Sequence, residues 1–205
     1  MRVIGITGGV GAGKSEIMKI LKENSSSYIL LADSVAHEVE KKGDKCYDAL
    51  IELLGDSILA DDGQIDKKKM AEAIFSGKDS NVLTKVNAIV HPRVKERILE
   101  LIDEQRQLNR VDFFFLEAAL LIEDGYLNIC DEIWYVYASV ETRTKRLMSS
   151  RGYSPEKIKD IMSKQNDEAT FRKYCSFVID NDKGLDEVRA CLIDKLKEAL
   201  DCSVN

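Results

Sequence analysis

The stretch GGVGAGKSE at residues 8–16 most constrains this chain, and it follows the short apolar run MRVIGIT. Gly8, Gly13, Lys14 and Ser15 occupy every fixed position of the pattern G-x-x-x-x-G-K-[ST]. In this pattern, glycines let backbone N–H groups turn toward phosphate oxygens, and a helix directs its positive end to the same charge. The apolar run predicts a strand before the motif and the apolar spacing predicts a helix after it. The sequence therefore predicts a loop that binds the phosphates of a nucleotide.

Five short apolar runs predict β-strands, at residues 2–7, 28–32, 112–118, 132–138 and 177–180. Most of them are continuously apolar rather than alternating, which is typical of a parallel sheet covered on both faces. Helical patterns lie between them, at residues 14–23, 93–108 and 185–200. This alternation predicts a single α/β domain with a five-stranded parallel sheet flanked by helices.

Two segments do not fit the alternation. Between the second and third strands the chain is far longer than a crossover needs, and helical patterns at residues 67–75 and 82–90 predict a helical insertion. Over residues 140–175, a basic helix ends at the sequence RGYSP and a second helix follows, which predicts a helical hairpin over the sheet edge. We place the core at about 1–33, 110–140 and 176–205.

Composition excludes several classes of protein. The net charge of −6 and the pI near 5.1 disfavour a nucleic-acid binder, which usually has a basic face. No apolar run approaches the ~18 residues of a membrane span, and no signal segment precedes the first strand. We therefore expect a cytoplasmic protein with reduced thiols at Cys46, Cys130, Cys175, Cys191 and Cys202. The sequence does not determine the oligomeric state, and a monomer is favoured.

Three classes of phosphate-loop protein were compared. A regulatory GTPase needs N-K-x-D and D-x-x-G segments, and neither occurs in this sequence. A remodelling ATPase usually has a strand ending in Asp and additional domains, whereas the strand at 112–118 contains Glu117. A small-molecule kinase needs a helical acceptor-binding insertion and an arginine-bearing lid, and the two anomalous segments supply both. The sequence thus predicts a P-loop kinase fold with the insertion at about 34–109 and the lid at about 141–175.

The basic segment TRTKRLMSSR at residues 142–151 contains no acidic residue. Arg143 and Arg146 are three residues apart and share a helical face, whereas Lys145 is expected on a solvated face. Guanidinium groups suit phosphate oxygens and stabilise charge on a transferring phosphoryl group. We expect at least one of Arg143, Arg146 and Arg151 to contact phosphate, and the spacing does not decide which.

Several acidic or basic residues have two open interpretations from the residues alone. Asp33, after the second strand, could orient an acceptor hydroxyl or could N-cap the helix from Ser34. Glu117 could hold a metal-bound water or make a structural hydrogen bond. His91 and Pro92 are typical of a helix start with proline at the first position, and a packing role for His91 is favoured over a metal role.

The chain resembles the dephospho-CoA kinase family, which phosphorylates the ribose 3′-hydroxyl of dephospho-CoA with ATP in the last step of coenzyme A synthesis. The resemblance covers nearly the whole chain. It rests on Gln165 and on the segments ITGGVGAGKS, LADSVAHEV, DGQIDKKKMAEAIF, NAIVHPRV, FLEAALLIEDGY and VIDN.

The resemblance implies ATP and Mg²⁺ as cofactors and dephospho-CoA as the acceptor. The implied ATP-binding residues are Gly9, Gly11, Ala12, Gly13, Lys14, Ser15, Glu16, Arg143 and Arg151. The implied acceptor-binding residues are Asp33, His91, Pro92, Leu120 and Glu123, and the expected catalytic residues are Asp33, Lys14 and Arg146. Mg²⁺ is expected on the Ser15 hydroxyl, with Glu117 as a further partner through water.

The sequence departs from the family pattern at six positions. Leu31 replaces the first carboxylate of an Asp-Ala-Asp segment, and His37 replaces an arginine. Ala119 stands where a proline usually precedes the Leu-Leu pair. The remaining departures are Lys67, Glu117 and Ile161.

Overall fold

The structure is a computed structural model that describes residues 1–75, 81–118 and 120–201. Ala119 and Cys202, which the sequence analysis singled out, lie outside these ranges. Within the described residues, no helix is both long and apolar enough to cross a membrane.

A five-stranded parallel sheet contains the strands β1 (Arg2–Thr7), β2 (Ser27–Leu31), β3 (Phe113–Glu117), β4 (Glu132–Tyr137) and β5 (Phe177–Asp180). The strand order is β2-β3-β1-β4-β5, and β1 pairs in parallel with β3 and β4. Each predicted strand is confirmed, with ends displaced by at most one residue. The predicted α/β fold is therefore confirmed.

The sheet is buried on both faces, as its continuous apolar strands require. Ile4 and Ile6 of β1 are fully buried, and every residue of β3 except its last is fully or almost fully buried. The central strands pack against α1 (Lys14–Asn24) and α9 (Leu185–Asp201) in one apolar cluster. The cluster fixes the end of β1, and hence the start of the loop at residues 8–13.

The other helices are α2 (Ala32–Val39), α3 (Lys45–Leu54), α4 (Lys67–Phe75), α5 (Val82–Leu108), α6 (Val140–Arg151), α7 (Pro155–Ser163) and α8 (Glu168–Tyr174). The predicted break after α6 is confirmed: Gly152 adopts a left-handed conformation, and the Ser154 side chain caps α7 by accepting a hydrogen bond from the Lys157 amide. Helix α8 was not predicted, so residues 140–175 contain three helices rather than two.

The predicted helix start at His91 and Pro92 is wrong, because α5 continues through Pro92. A proline inside a helix costs about 3 kcal/mol, since it lacks an N–H and its ring crowds the preceding turn. Buried side chains recur at about every fourth position on both sides of it: Val86, Val90, Val94, Ile98, Leu101 and Ile102. Burial of this continuous apolar face outweighs the lost hydrogen bond.

The chain divides into two compact units. The first unit, Met1–Leu30 with Gln105–Asn205, contains the sheet and helices α1 and α6–α9. The second unit, Leu31–Glu104, contains α2, α3, α4 and most of α5. The assignment of 34–109 to acceptor binding and of 141–175 to a lid stays a prediction.

Charged side chains join the helices of the second unit. The Arg93 guanidinium donates to both carboxylate oxygens of Asp44, at 2.9 to 3.1 Å, and to Glu100 at 3.0 Å. Arg97 pairs with Glu38 at 2.9 Å, which links α5 to α2. Lys67 forms an ion pair with the buried carboxylate of Glu40. Lys67 thus supplies the cation that pairs with this carboxylate.

Candidate nucleotide-binding site

The loop at residues 8–13 connects the end of β1 to the start of α1. Gly13 has φ of 94°, a left-handed conformation that other residues adopt only with strain. A Cβ at Gly13 would overlap the side-chain amide of Asn181, and one at Gly9 would overlap the guanidinium of Arg143. Glycine is therefore required at position 13, where the backbone conformation and the overlap both exclude a Cβ, whereas a side chain at position 9 would displace the Arg143 guanidinium from the loop.

Two side chains from distant parts of the sequence hold the carbonyl of Ala12. The buried amide of Asn181 donates to it at 2.7 Å, and the guanidinium of Arg146 donates at 3.1 Å. Arg146 also donates to the main-chain carbonyl of Asn181 at 2.9 Å. These bonds hold the Ala12 carbonyl and fix the loop to α6 and to the residue after β5.

A third side chain contacts the loop from the segment after α7. The Gln165 side-chain oxygen accepts a hydrogen bond from the backbone N–H of Val10 at 2.9 Å. The next residue, Asn166, donates to the Glu123 carboxylate at 2.7 Å. Two consecutive residues thus connect this segment to the phosphate loop and to the turn after β3.

Lys14 lies at the start of α1 with its ammonium directed back along the loop. Its Nζ donates to the Gly8 carbonyl at 2.8 Å and lies 3.6 Å from Oε1 of Glu117. Ser15 and Glu16 follow in the first turn of the helix. The Ser15 hydroxyl and the Glu117 carboxylate are oxygen donors of the kind that Mg²⁺ prefers, so the donor set fits this ion.

The three candidate arginines differ in their surroundings. The Arg143 guanidinium lies against Gly9, and its buried Nε has no hydrogen-bond partner among the described residues. Arg146 bonds to the loop, whereas Arg151 is exposed at the end of α6, with its guanidinium 5.9 Å from the Tyr153 ring centre. Lys145 is solvated and pairs with Glu141, as predicted. Two arginines therefore face the loop.

The predicted acceptor-side residues are placed as follows. Asp33 is an exposed residue in the first turn of α2, and Leu31 occupies the N-cap position, so the alternative interpretation of Asp33 as a helix cap is wrong. The helix begins at Ala32, two residues before the start that a cap at Asp33 would give, because β2 leads directly into it. His91 and Pro92 lie inside α5, and Leu120 is exposed. Their roles stay predictions.

Sequence reasoning assigned no role to Asn181, and it noted Gln165 only within the resemblance. Both contact the loop across more than 150 residues of sequence, so spacing gives no signal for either. The four described cysteines are free thiols. Burial raises the pKa of Cys130 and Cys175 to about 12, which keeps these thiols protonated and unreactive at neutral pH.

Comparison with known proteins gives concordant results. The model of the CoaE family, described as dephospho-CoA kinase, matches residues 2–187. The chain is 35% identical over 199 residues to a dephospho-CoA kinase of Streptococcus agalactiae serotype Ia, covering 96% of this chain and 98% of the relative. It is 34% identical to the Streptococcus pyogenes serotype M1 enzyme of the same name, covering 97% and 96%.

Solved structures show the same fold. The crystal structure of TT1252 from Thermus thermophilus superposes with a TM-score of 0.75 at 28% identity, covering 96% of this chain and 97% of that one. A dephospho-CoA kinase from Campylobacter jejuni gives a TM-score of 0.73 at 21% identity, covering 98% of each chain.

Proposed function

Since the chain belongs to the dephospho-CoA kinase family, we propose that it transfers the γ-phosphoryl group of ATP to the ribose 3′-hydroxyl of dephospho-CoA. The product is coenzyme A, and the reaction is the last step of coenzyme A synthesis. The proposal rests mainly on one observation: a complete phosphate loop with two arginines directed at it, in a member of this family.

The first unit supplies the ATP site. The backbone of residues 9–16 surrounds the phosphates, and Lys14 neutralises charge on the β- and γ-phosphates. Arg143, which has no carboxylate partner among the described residues, contacts the transferring phosphate, while Arg146 keeps the loop in shape. Arg151 joins them only if the end of α6 moves, because it is exposed in this structure.

Mg²⁺ would supply neutralisation of the charge that develops on the transferring phosphate. The Ser15 hydroxyl and, through water, the carboxylate of Glu117 are the side chains that would hold it. Glu117 also lies 3.6 Å from the Lys14 ammonium, so the carboxylate orients the lysine whether or not the ion is present.

Asp33 is the proposed catalytic carboxylate, because it is exposed in the first turn of α2 and makes no N-cap. A carboxylate there accepts a hydrogen bond from the 3′-hydroxyl and orients it for in-line attack. His91, Pro92, Leu120 and Glu123 bind the acceptor, and residues 141–175 close over the site and exclude water. A cytoplasmic monomer remains the expected form of the enzyme.

The experiment that tests the function is ATP consumption by purified protein with dephospho-CoA, AMP, CMP, shikimate or no acceptor in parallel. We expect consumption with dephospho-CoA alone, and a product heavier by one phosphate. Turnover with a nucleoside monophosphate instead of dephospho-CoA would identify a different acceptor. Absence of ATP consumption with every acceptor would contradict the proposal.

A further inference from the structure

Three consecutive side chains at the end of β5 hold the turn that follows it and two other parts of the first unit. Asp180 accepts a hydrogen bond from the Asp182 amide at 3.2 Å, which stabilises the turn. Asp182 accepts from the Ser139 amide at 3.0 and 3.1 Å, which fixes the start of α6. Asn181, between them, is buried and reaches the phosphate loop. The proposed function gives this asparagine no role.

The main chain holds Asn181 in one orientation. Its N–H donates to the Tyr137 carbonyl at 2.8 Å, which continues the pairing of β4 with β5. Its carbonyl accepts a hydrogen bond from the Arg146 guanidinium at 2.9 Å. Because both main-chain groups are engaged, the residue cannot rotate without leaving a backbone group unpaired. The sheet itself therefore directs this side chain at the loop.

The side-chain amide meets the loop at the peptide between Ala12 and Gly13. Its Nδ2 donates to the Ala12 carbonyl at 2.7 Å, and the same atom occupies the space that a Cβ at Gly13 would need. Lys14 and Ser15 follow directly in the chain. A shift of this one peptide would therefore move the backbone from which both of these side chains reach the phosphates.

The other atom of the amide has no partner. Oδ1 of Asn181 is buried and accepts no hydrogen bond from the described residues. The amide cannot be turned round, because its oxygen would then face the Ala12 carbonyl oxygen, which is also an acceptor. An unpaired buried acceptor lowers the stability of a fold, so packing alone does not explain an asparagine here. Since Oδ1 is closed off from solvent, it is not placed to bind a ligand either.

We propose that Asn181 is a positioning residue for the phosphate loop, although its unpaired oxygen lowers the stability of the fold. A peptide is planar and trans, so a donor that holds the Ala12 carbonyl on one side directs the Gly13 N–H to the opposite side. That N–H is then available to phosphate oxygens, while Asn181 itself touches no substrate. The inference rests on the proposed function only in taking ATP as the ligand of the loop.

Two substitutions separate the hydrogen bond from the space that the side chain fills. Asn181→Ala removes both, whereas Asn181→Asp keeps the shape and replaces the donor by an acceptor. We expect both variants to weaken ATP binding in calorimetry by roughly tenfold or more, with the KM for dephospho-CoA changed less than about twofold.

Asn24→Ala is the matched control for the loss of the hydrogen bond. The Asn24 amide also donates to a main-chain carbonyl at 2.7 Å, that of Ile20 at the far end of α1, and it does not contact the loop. We expect this variant to bind ATP as the unmodified chain does. A loss of affinity in both alanine variants would show that the effect is not specific to the loop, and would contradict the proposal.

Thermal melting distinguishes positioning from a purely structural role. Asn181→Ala removes the unpaired oxygen together with the hydrogen bond, so we expect its melting temperature to stay within about 4 °C of that of the unmodified chain, while ATP affinity falls. A purely structural role would give the reverse: a clearly lower melting temperature, with the ATP affinity of the folded protein unchanged. That result would overturn the proposal.

The remaining outcomes separate this inference from the proposed function. If Asn181→Asp binds ATP as tightly as the unmodified chain, the donor is dispensable and the positioning role is wrong, whereas the function stands. If the unmodified chain binds ATP but phosphorylates a different acceptor, the function fails and the role of Asn181 is still decided by the variants. If the unmodified chain binds no ATP, both proposals are wrong.

Discussion

The two units of the chain are held together by different interactions. In the first unit, buried apolar strands fix the sheet, and hydrogen bonds from Asn181, Arg146 and Gln165 fix the phosphate loop. In the second unit, ion pairs at or near the surface join the helices, above all through Arg93 and Arg97. The second unit also buries apolar side chains, among them Val39, Leu50 and Ile98, so its ion pairs add to a core of its own. Exposed ion pairs are weak and are screened by salt, whereas buried contacts are not. The comparison therefore separates a loop held by hydrogen bonds from distant residues and a set of helices joined by charges at their surface.

The largest effect should come from a substitution in the second unit that lowers the turnover number but leaves ATP binding intact. Asp33 belongs to the second unit and the phosphate loop to the first. We expect Asp33→Asn to lower kcat on the order of 10²–10⁴-fold, because the amide orients the acceptor hydroxyl poorly. ATP affinity, measured by calorimetry, should stay within twofold. His37→Asn, an exposed change on the same helix, is the control, and near-normal turnover of Asp33→Asn would remove Asp33 from the mechanism.

The second-largest effect should be a loss of ATP affinity when a side chain that holds the phosphate loop is removed. Arg146→Ala removes two hydrogen bonds from a cationic donor, to the carbonyls of Ala12 and Asn181. A bond of this kind is worth about 1.5–3 kcal/mol, so loss of the one that holds the loop at Ala12 should lower ATP affinity by roughly 10- to 100-fold. Lys145→Ala, on the solvated face of the same helix, should leave it unchanged. Equal affinities of the two variants would show that the loop keeps its shape without Arg146.

A smaller effect is expected in the second unit. Arg93→Met keeps the aliphatic part of the side chain but leaves the half-buried carboxylate of Asp44 without its guanidinium partner. We expect the free energy of unfolding to fall by about 1–3 kcal/mol in urea titrations. ATP affinity should be unaffected. A loss of ATP affinity instead would mean that the two units are coupled through this ion pair.

The smallest effect should be the dependence of stability on acid pH. Burial raises the pKa of Asp44, but hydrogen bonds from Arg93 and from the Cys46 amide outweigh it, so the net pKa lies below its ordinary value. Because the pKa is lower in the folded chain, the stabilisation is complete at neutral pH. It is lost as the pH falls below about 4. Thermal melting between pH 3 and 6 should therefore show a shallower decline for Asp44→Asn than for the unmodified chain.

Local patterns predicted the strands, the phosphate loop and the helical character of residues 34–109, because each depends on neighbouring residues. The family resemblance is likewise confirmed by the match over residues 2–187. A local rule failed at Pro92, and at Asp33 the residues alone left two interpretations open, of which the structure excludes the helix cap. At Pro92, the apolar face of α5 overrides the usual stop signal, and at Asp33, β2 leads into α2 without a side-chain cap.

The contacts around the loop could not be predicted for a different reason. The three-residue spacing of Arg143 and Arg146 correctly placed them on one helical face. The spacing does not, however, predict which atoms of the phosphate loop the two guanidinium groups contact. The answer depends on Asn181 and on Gly9, which the sheet brings next to α6. Interactions over such sequence separations become visible only when the fold is known.

The hydrogen bond from the Val10 amide to the Gln165 side chain joins residues separated by 155 positions. That amide is shielded from solvent exchange only while the segment after α7 rests on the loop. Deuterium uptake at the Val10 amide therefore reports how often the segment after α7 separates from the loop. The measurement needs no label attached to the protein.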